Sequence, residues 1–200
     1  LRVYVYHWTN CSCTGSIEPI TTVKYVKYGI DFFEFQNEKW GKIGLKINNV
    51  GNLQLVLCPS LMPGEVPAKD PKTKKIAKGT KVYDYTKEVL ANVEFNDCLN
   101  IISMAEQLNP NGEAITLFRN SDKFSKTINI TWYAPDGENI STATFFVKFK
   151  EFHSDRGEIS FKIPVSVETF LRIATAIQSY VSCLPMIKLF TNAILNVIEE

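Results

Sequence analysis

The chain has 200 residues, 45% of them apolar and 22% charged, with a formal net charge of +1. That length fits one domain or two small repeats sharing a core, and the composition is that of a folded protein, not a disordered one. A charge so near zero excludes the strongly basic field of a typical nucleic-acid module, so an anionic partner must be met by a local patch.

RVYVYHW at 2–8 reads as a short strand, and 9–20, with Gly15 and Pro19, as a loop. The stretch 22–35 is β-rich. WGKIGLKI at 40–47 alternates, with Ile43, Leu45 and Ile47 on one face and Trp40, Lys42, Gly44 and Lys46 on the other. Gly51-Asn52 turns the chain into a strand at 53–58, which Pro59 and Pro63 end. Residues 62–81 carry three prolines and six lysines and read as a long exposed loop. A strand is predicted at about 87–95, with Val89, Ala91, Val93 and Phe95 on one face. Asn96 is the expected cap of a helix at 97–108, because its side chain can accept from the free N–H groups of a first turn.

The second half repeats the plan. Strands are predicted at 114–119, 126–134, 142–152 and 158–164, joined by polar turns. Ser166 is placed to cap a helix whose apolar stripe is Phe170, Ile173, Ala174, Ile177 and Val181. Pro185 is expected to kink or break it, with a further helical piece to about 198. Strands then a helix, twice over, is an α+β arrangement, and short connectors make the strands antiparallel.

Five cysteines, Cys11, Cys13, Cys58, Cys98 and Cys183, form no disulfide framework; the last three lie in apolar segments and read as buried thiols. Cys11-Ser-Cys13 lacks a second ligand pair at zinc spacing, so no metal is assigned. The sequons at Asn10, Asn129 and Asn139 are close to chance for this composition. No run is expected to reach the roughly 18 apolar residues of a membrane span. The start at Leu1 is compatible with removal of a leader. The two histidines, His7 and His153, are far apart, and His153 reads as a surface residue. No phosphate-cradling glycine loop, nucleophile elbow or carboxylate pair appears, so neither an enzyme nor a cofactor is predicted.

The order of elements and several motifs resemble the Whirly fold of plant Whirly proteins and kinetoplastid mitochondrial guide-RNA-binding proteins. The likeness spans roughly 24–190. Gly51-Asn-Leu-Gln-Leu-Val-Leu-Cys-Pro59 is similar to the family's third strand, and Tyr83-Asp84-Tyr85 to its Tyr-Asp-Trp lead into the fourth. Ile101-Ile102-Ser103 matches its first helix. Ile163-Pro164-Val165, Phe170 and Leu184-Pro185 match its C-terminal half. The family's Lys-Gly-Lys motif is absent, with only Lys27-Tyr28-Gly29 nearby, and the 62–81 loop is longer than the family's. The resemblance implies two antiparallel four-stranded sheets, each followed by a helix. On that reading an N-terminal extension covers 1–23, and one Whirly-like domain covers 24–195 in two pseudo-repeats, 24–108 and 114–195. It also implies single-stranded RNA or DNA binding in a mitochondrion, and homo- or hetero-tetramers joined through the C-terminal helices.

Single-strand binding needs cations for phosphates and aromatic faces for bases. In 142–152, Ala143, Phe145, Val147 and Phe149 form the inner face, leaving Thr144, Phe146, Lys148, Lys150 and Phe152 outside. Outward phenylalanines beside outward lysines suit a nucleic-acid platform, or an aromatic surface covered by another protein. Asn129, Thr131 and Tyr133 of the neighbouring strand share that face, whereas Trp132 faces the core. Trp40, Lys42 and Lys46 are read as the same device in the first repeat. Lys72, Lys74, Lys75 and Lys78 of the long loop are a candidate phosphate clamp, against the commoner role of a solvated charge run. The competing reading is a non-catalytic subunit of a large mitochondrial assembly that keeps the fold and docks other proteins. The near-neutral charge and the missing Lys-Gly-Lys favour that alternative; the lysine–aromatic clustering favours nucleic acid.

Overall fold

Period-two alternation resolves into two four-stranded antiparallel sheets. The computed structural model describes residues 30–48, 50–108, 114–135, 142–155 and 157–199, with α-helical side chains at the C-terminal end described to Leu189. The first sheet runs in the order β1 (Ile30–Asn37), β2 (Gly41–Ile47), β3 (Leu53–Pro59) and β4 (Val89–Asn92), followed by α1 (Phe95–Gln107). The second runs β5 (Ile115–Asn120), β6 (Phe124–Tyr133), β7 (Thr144–His153) and β8 (Gly157–Ser166), followed by α2 (Val167–Glu199). The predicted fold class is the observed one. The strand expected at 2–8, the start of the 22–35 segment and the residues Cys11, Cys13, His7, Asn10 and Asn139 lie outside the described residues.

The inner faces of both sheets meet the helices in one core. Ile43, Leu45, Leu53, Leu55 and Leu57 come from the first sheet, and Leu117, Ile128, Ile130, Phe145, Val147 and Phe149 from the second. Helix α1 contributes Cys98, Ile101 and Ala105, and α2 contributes Phe170, Ile173, Ala174, Ile177 and Tyr180. An aromatic stack joins α2 to the second sheet: Phe170 lies parallel to Phe145 with ring centroids 3.9 Å apart, and Trp132 stacks on the same Phe145 at 5.8 Å. Tyr180 Oη donates to the Gly51 carbonyl at 2.9 Å, tying α2 to the β2–β3 turn. The sheets themselves touch at Gly41, where a Cβ would lie 2.4 Å from the Cys58 carbonyl and 3.0 Å from Ile163 Cδ1. With φ at +146°, that backbone position favours glycine as strongly as the crowding does.

Several boundaries differ from expectation for local reasons. Helix α1 starts at Phe95, ahead of the expected cap Asn96, because Glu94 and Asp97 form a capping box in which the Glu94 N–H donates to Asp97 Oδ2 at 2.9 Å. Phe95 is therefore a half-exposed helical residue and not the end of a strand. The expected cap at α2 holds, with the Thr169 N–H donating to Ser166 Oγ at 3.2 Å. Pro185 does not break α2, which runs through it. It sits on an exposed position, where water can reach the carbonyl that loses its donor. Pro164 is tolerated inside β8 because β8 is an edge strand. Cys58 and Cys98 are buried as expected, and burial pushes each thiol up to about 11, leaving them protonated and unreactive at neutral pH. Cys183, read as buried, is exposed on the outer side of α2.

The expectation that no run reaches the length of a membrane span meets one candidate among the described helices. Val167–Leu189 of α2 is long and apolar enough to cross one by length and composition. One face of it is already committed to the core through Phe170, Ile173, Ile177 and Tyr180, and a core helix satisfies the same criteria.

Candidate nucleic-acid interface

Strand register decides which predicted residues share a surface. Across the second sheet, Thr116 pairs with Asn129, Asn129 with Lys148 and Lys148 with Lys162. The next row on one side is Phe118–Thr127–Lys150–Ser160, and on the other Thr131–Phe146–Pro164. All of these point away from the core, since the alternate residues Leu117, Ile128, Phe149 and Phe145 are buried. The predicted group Asn129, Thr131, Tyr133, Phe146, Lys148, Lys150 and Phe152 is thus gathered on one outer face. Phe152 is 60% exposed and Tyr133 62%, so neither ring is covered by the rest of the described chain.

Two residues that the sequence pattern did not single out belong to this face. Phe118 is 54% exposed at the β5 edge. Lys162 of β8 extends the lysine row, and its Nζ lies 5.1 Å from the Phe146 ring centroid. Both could have been found by extending the alternation of 114–119 and 158–164 outward. The Lys162 ammonium covers one side of Phe146, which is only half-exposed, so Phe152, Tyr133 and Phe118 are the rings open for stacking. Lys150 Nζ is 3.2 Å from Glu158 Oε1, a pair exposed enough for water to screen it. Lys148 makes no ion pair among the described residues and points into solvent.

The inner face of the same strands holds a charged seam. Glu151, 1% exposed, faces the core side of β7, with Lys126 Nζ of β6 at 3.8 Å. Lys126 also donates to the Leu90 carbonyl of β4 at 3.4 Å, linking the two sheets. Arg119 of β5 pairs with Asp97 and, at 3.5 Å, with Glu94 at the start of α1. Periodicity alone does not reveal this seam, because its partners come from distant segments brought together only by register.

The first sheet does not reproduce the arrangement. Trp40 is not on the outer face of β2; it precedes the strand, in a turn where Asn37 Oδ1 accepts from the N–H groups of Lys39 and Trp40 at 3.0 and 3.2 Å. Its ring is half-buried, packs against the core and lies beneath Gly64, where a Cβ would be 3.7 Å away. Lys42 is held by Glu34 and Glu88, at 3.7 and 3.5 Å, and its Nζ lies 4.9 Å from the Tyr85 ring centroid. The nearby Tyr85, Glu88 and Glu34 outweigh burial, so its pKa is raised and its charge is already matched. Lys46 lies opposite Asp31 and Gln54. Lys42 and Lys46 line a cleft of about 190 Å³ with Asp31, Glu34 and Glu88, a mixed-charge surface and not a cationic track.

The long loop is held at its base by a bridge between Ser60 and Tyr83 and by the Leu61 N–H donating to the Val82 carbonyl at 2.9 Å. Within it, Lys69 pairs with Ile76, and Asp70 Oδ1 accepts from the N–H groups of Lys72 and Thr73 at 2.8 and 2.7 Å. Those bonds hold the Asp70 carboxyl below its ordinary range. Lys72, Lys74, Lys75 and Lys78 are exposed, and none makes an ion pair among the described residues. His153 accepts at Nδ1 from the Asp155 N–H at 3.0 Å, a local turn contact.

No family model and no curated protein matches the chain. Solved structures do. The crystal structure of WHY3 from Arabidopsis thaliana aligns with a TM-score of 0.51 at 16% identity, over 88% of this chain and 98% of that one. That of WHY1 from the same plant aligns with a TM-score of 0.51 at 15% identity, over 88% and 96%. Together with two sheets of order β1-β2-β3-β4 and β5-β6-β7-β8, each followed by a helix, these matches show that the chain has the Whirly fold.

Proposed function

We propose that this chain binds single-stranded nucleic acid, RNA or DNA, along the outer face of its second sheet. One observation carries the reading: Lys148, Lys150 and Lys162 stand on the same open face as the rings of Phe118, Tyr133, Phe146 and Phe152. Lysines meet phosphates, and the open rings accept bases by stacking, worth about 1–3 kcal/mol per base. From Phe146 to Phe152 along β7 the track is about 20 Å long. The hydroxyls of Thr127 and Thr131 and the Asn129 amide lie between the rings and can bond sugar, phosphate or base edges. The Lys72, Lys74, Lys75 and Lys78 loop is a second source of phosphate contacts. A mitochondrial setting is proposed with this function, on the resemblance to the guide-RNA-binding proteins.

Fluorescence anisotropy with oligo(U) and oligo(dT) at two salt concentrations tests the reading. Micromolar or tighter binding is expected at low salt, with log affinity falling by about 0.7 per phosphate contact for each unit of log salt. No binding at low salt would leave the second reading, a subunit that docks other proteins. That reading is favoured by the mixed charges on the outer face of the first sheet.

Assembly through α2 belongs to the same proposal. Met186 and Leu189 are 60% and 70% exposed on a helix whose other face is buried, an apolar surface suited to a second helix. Sedimentation velocity at micromolar concentration is expected to show a species larger than the monomer; a strict monomer would contradict it.

A further inference from the structure

We infer that the loop between β3 and β4 is a contact for an anionic lipid surface. Charge in this chain is segregated. Residues 61–82 hold six of its 22 lysines and arginines and two of its 21 aspartates and glutamates, so the loop is net +4 and the remainder net −3. The near-neutral total therefore conceals one concentrated cation, which leads when the molecule approaches an anionic surface. Lys69 is held by Glu38 at 3.1 Å. Lys72, Lys74, Lys75, Lys78 and Lys81 are exposed and make no ion pair among the described residues.

The cations stand on a built hairpin. Lys69 bridges Ile76, the Asp70 N–H donates to the Lys75 carbonyl at 2.8 Å, and the Lys74 N–H donates to the Asp70 carbonyl at 2.9 Å. Lys72, Lys74 and Lys75 thus share one turn of at most about 11 Å of backbone, close to the Debye length of about 8 Å at physiological salt, and a flat charged surface meets them as one cluster. Every residue from Ala68 to Lys81 except Ile76 is exposed, so the hairpin stands out from the protein and lines no groove. A single strand is tracked by a cationic groove with rings for its bases. Residues 61–82 contain no aromatic residue. They expose aliphatic side chains instead: Leu61 at 45%, Met62 at 39% and Val66 at 55%. A headgroup layer accepts both lysines and aliphatic groups, and clusters of four to eight lysines or arginines suit anionic lipid. No part of this contact involves the second sheet.

Cosedimentation of the full chain with vesicles tests the contact. At low salt, phosphatidylcholine vesicles carrying about 30% phosphatidylserine should pellet the chain and pure phosphatidylcholine vesicles should not, and raising the salt to about 0.5 M should release it. Lys72→Glu with Lys75→Glu should lower the partition coefficient by at least about 25-fold, since each lysine near an anionic surface contributes about fivefold. Lys123→Glu makes the same change of charge as Lys75→Glu, but in the exposed turn between β5 and β6. It should stay within about twofold of wild type, where Lys75→Glu falls at least about fivefold. Melting temperatures should match wild type throughout, because these side chains are exposed. No pelleting with the anionic vesicles, or pelleting unmoved by the loop substitutions, would overturn the assignment. Equal pelleting with neutral vesicles would overturn it too, and give the contact to the apolar residues of α2. Loop variants that lose oligo(dT) and keep the vesicles would assign these lysines to a nucleic-acid strand instead. Oligonucleotide binding that persists where vesicle binding is absent would leave the second-sheet platform standing.

Discussion

Replacing Phe170 with alanine should destabilise the protein by about 3–5 kcal/mol, the usual range for removing a buried aromatic side chain. Phe170 is 1% exposed and lies parallel on Phe145, which in turn stacks on Trp132. Its loss opens a cavity at the point where α2 meets the second sheet, and the stacked rings beside it are too rigid to fill it. Domains of this size have about 5–15 kcal/mol of stability in total, so the loss is a large share. At about 2–4 °C per kcal/mol, the melting temperature should fall by roughly 6–20 °C. Phe152→Ala is the matched control. It removes the same side chain from β7, the strand that carries Phe145, but from a position 60% exposed on the opposite face. It should stay within about 0.5 kcal/mol of wild type. Thermal or chemical denaturation of the two variants checks the pair. Similar losses in both would mean that β7 does not have the inner and outer faces described.

That two-faced character of β7 was the most legible part of the sequence. Phe145, Val147 and Phe149 alternate with Phe146, Lys148 and Lys150, and period two assigns the faces without any tertiary information. The same logic placed Asn129, Thr131 and Tyr133 on the outer side of β6. It fails where a local hydrogen bond competes with the pattern. Trp40 continues the alternation of 40–47, yet the Asn37 side chain captures two backbone N–H groups and holds Trp40 in a turn before the strand begins. At α1, Asn96 is a good cap in isolation, but the reciprocal Glu94–Asp97 pair satisfies the first turn better and starts the helix earlier. Charge pairing was the least legible layer. Lys42 looks free in sequence because Glu34 and Glu88 reach it only through the β1–β2 pairing and the chain leading into β4. Glu151 breaks the apolar rhythm of the inner face, and its explanation, Lys126, comes from the adjacent strand β6. Pattern therefore recovered the shared lysine–aromatic face of the second sheet, and register removed its supposed copy on the first.

Reversing Lys148 and Lys150 together, Lys148→Glu and Lys150→Glu, should weaken oligonucleotide binding by at least about tenfold at low salt. The charge reversal removes two phosphate contacts and places two anions beside the strand, in a face whose remaining described cation is Lys162. The more specific signature is the salt dependence. Each phosphate released by the substitutions takes about 0.7 from the slope of log affinity against log salt, so the pair should flatten it by about 1.4. A variant that merely unfolded would lose binding without leaving a measurable, flattened slope. Folding should be little disturbed, because both lysines are exposed and the partner Glu158 is itself open to solvent. The one local cost is a new carboxylate at position 150 facing Glu158, a repulsion of a few tenths of a kcal/mol at this exposure. Lys72→Glu with Lys75→Glu, in the long loop, separates the two cationic surfaces. If the sheet is the track, the loop variant keeps most of the affinity and the sheet variant does not. If the loop alone holds the phosphates, the order inverts, and the rings of β7 are then a surface for protein and not for bases.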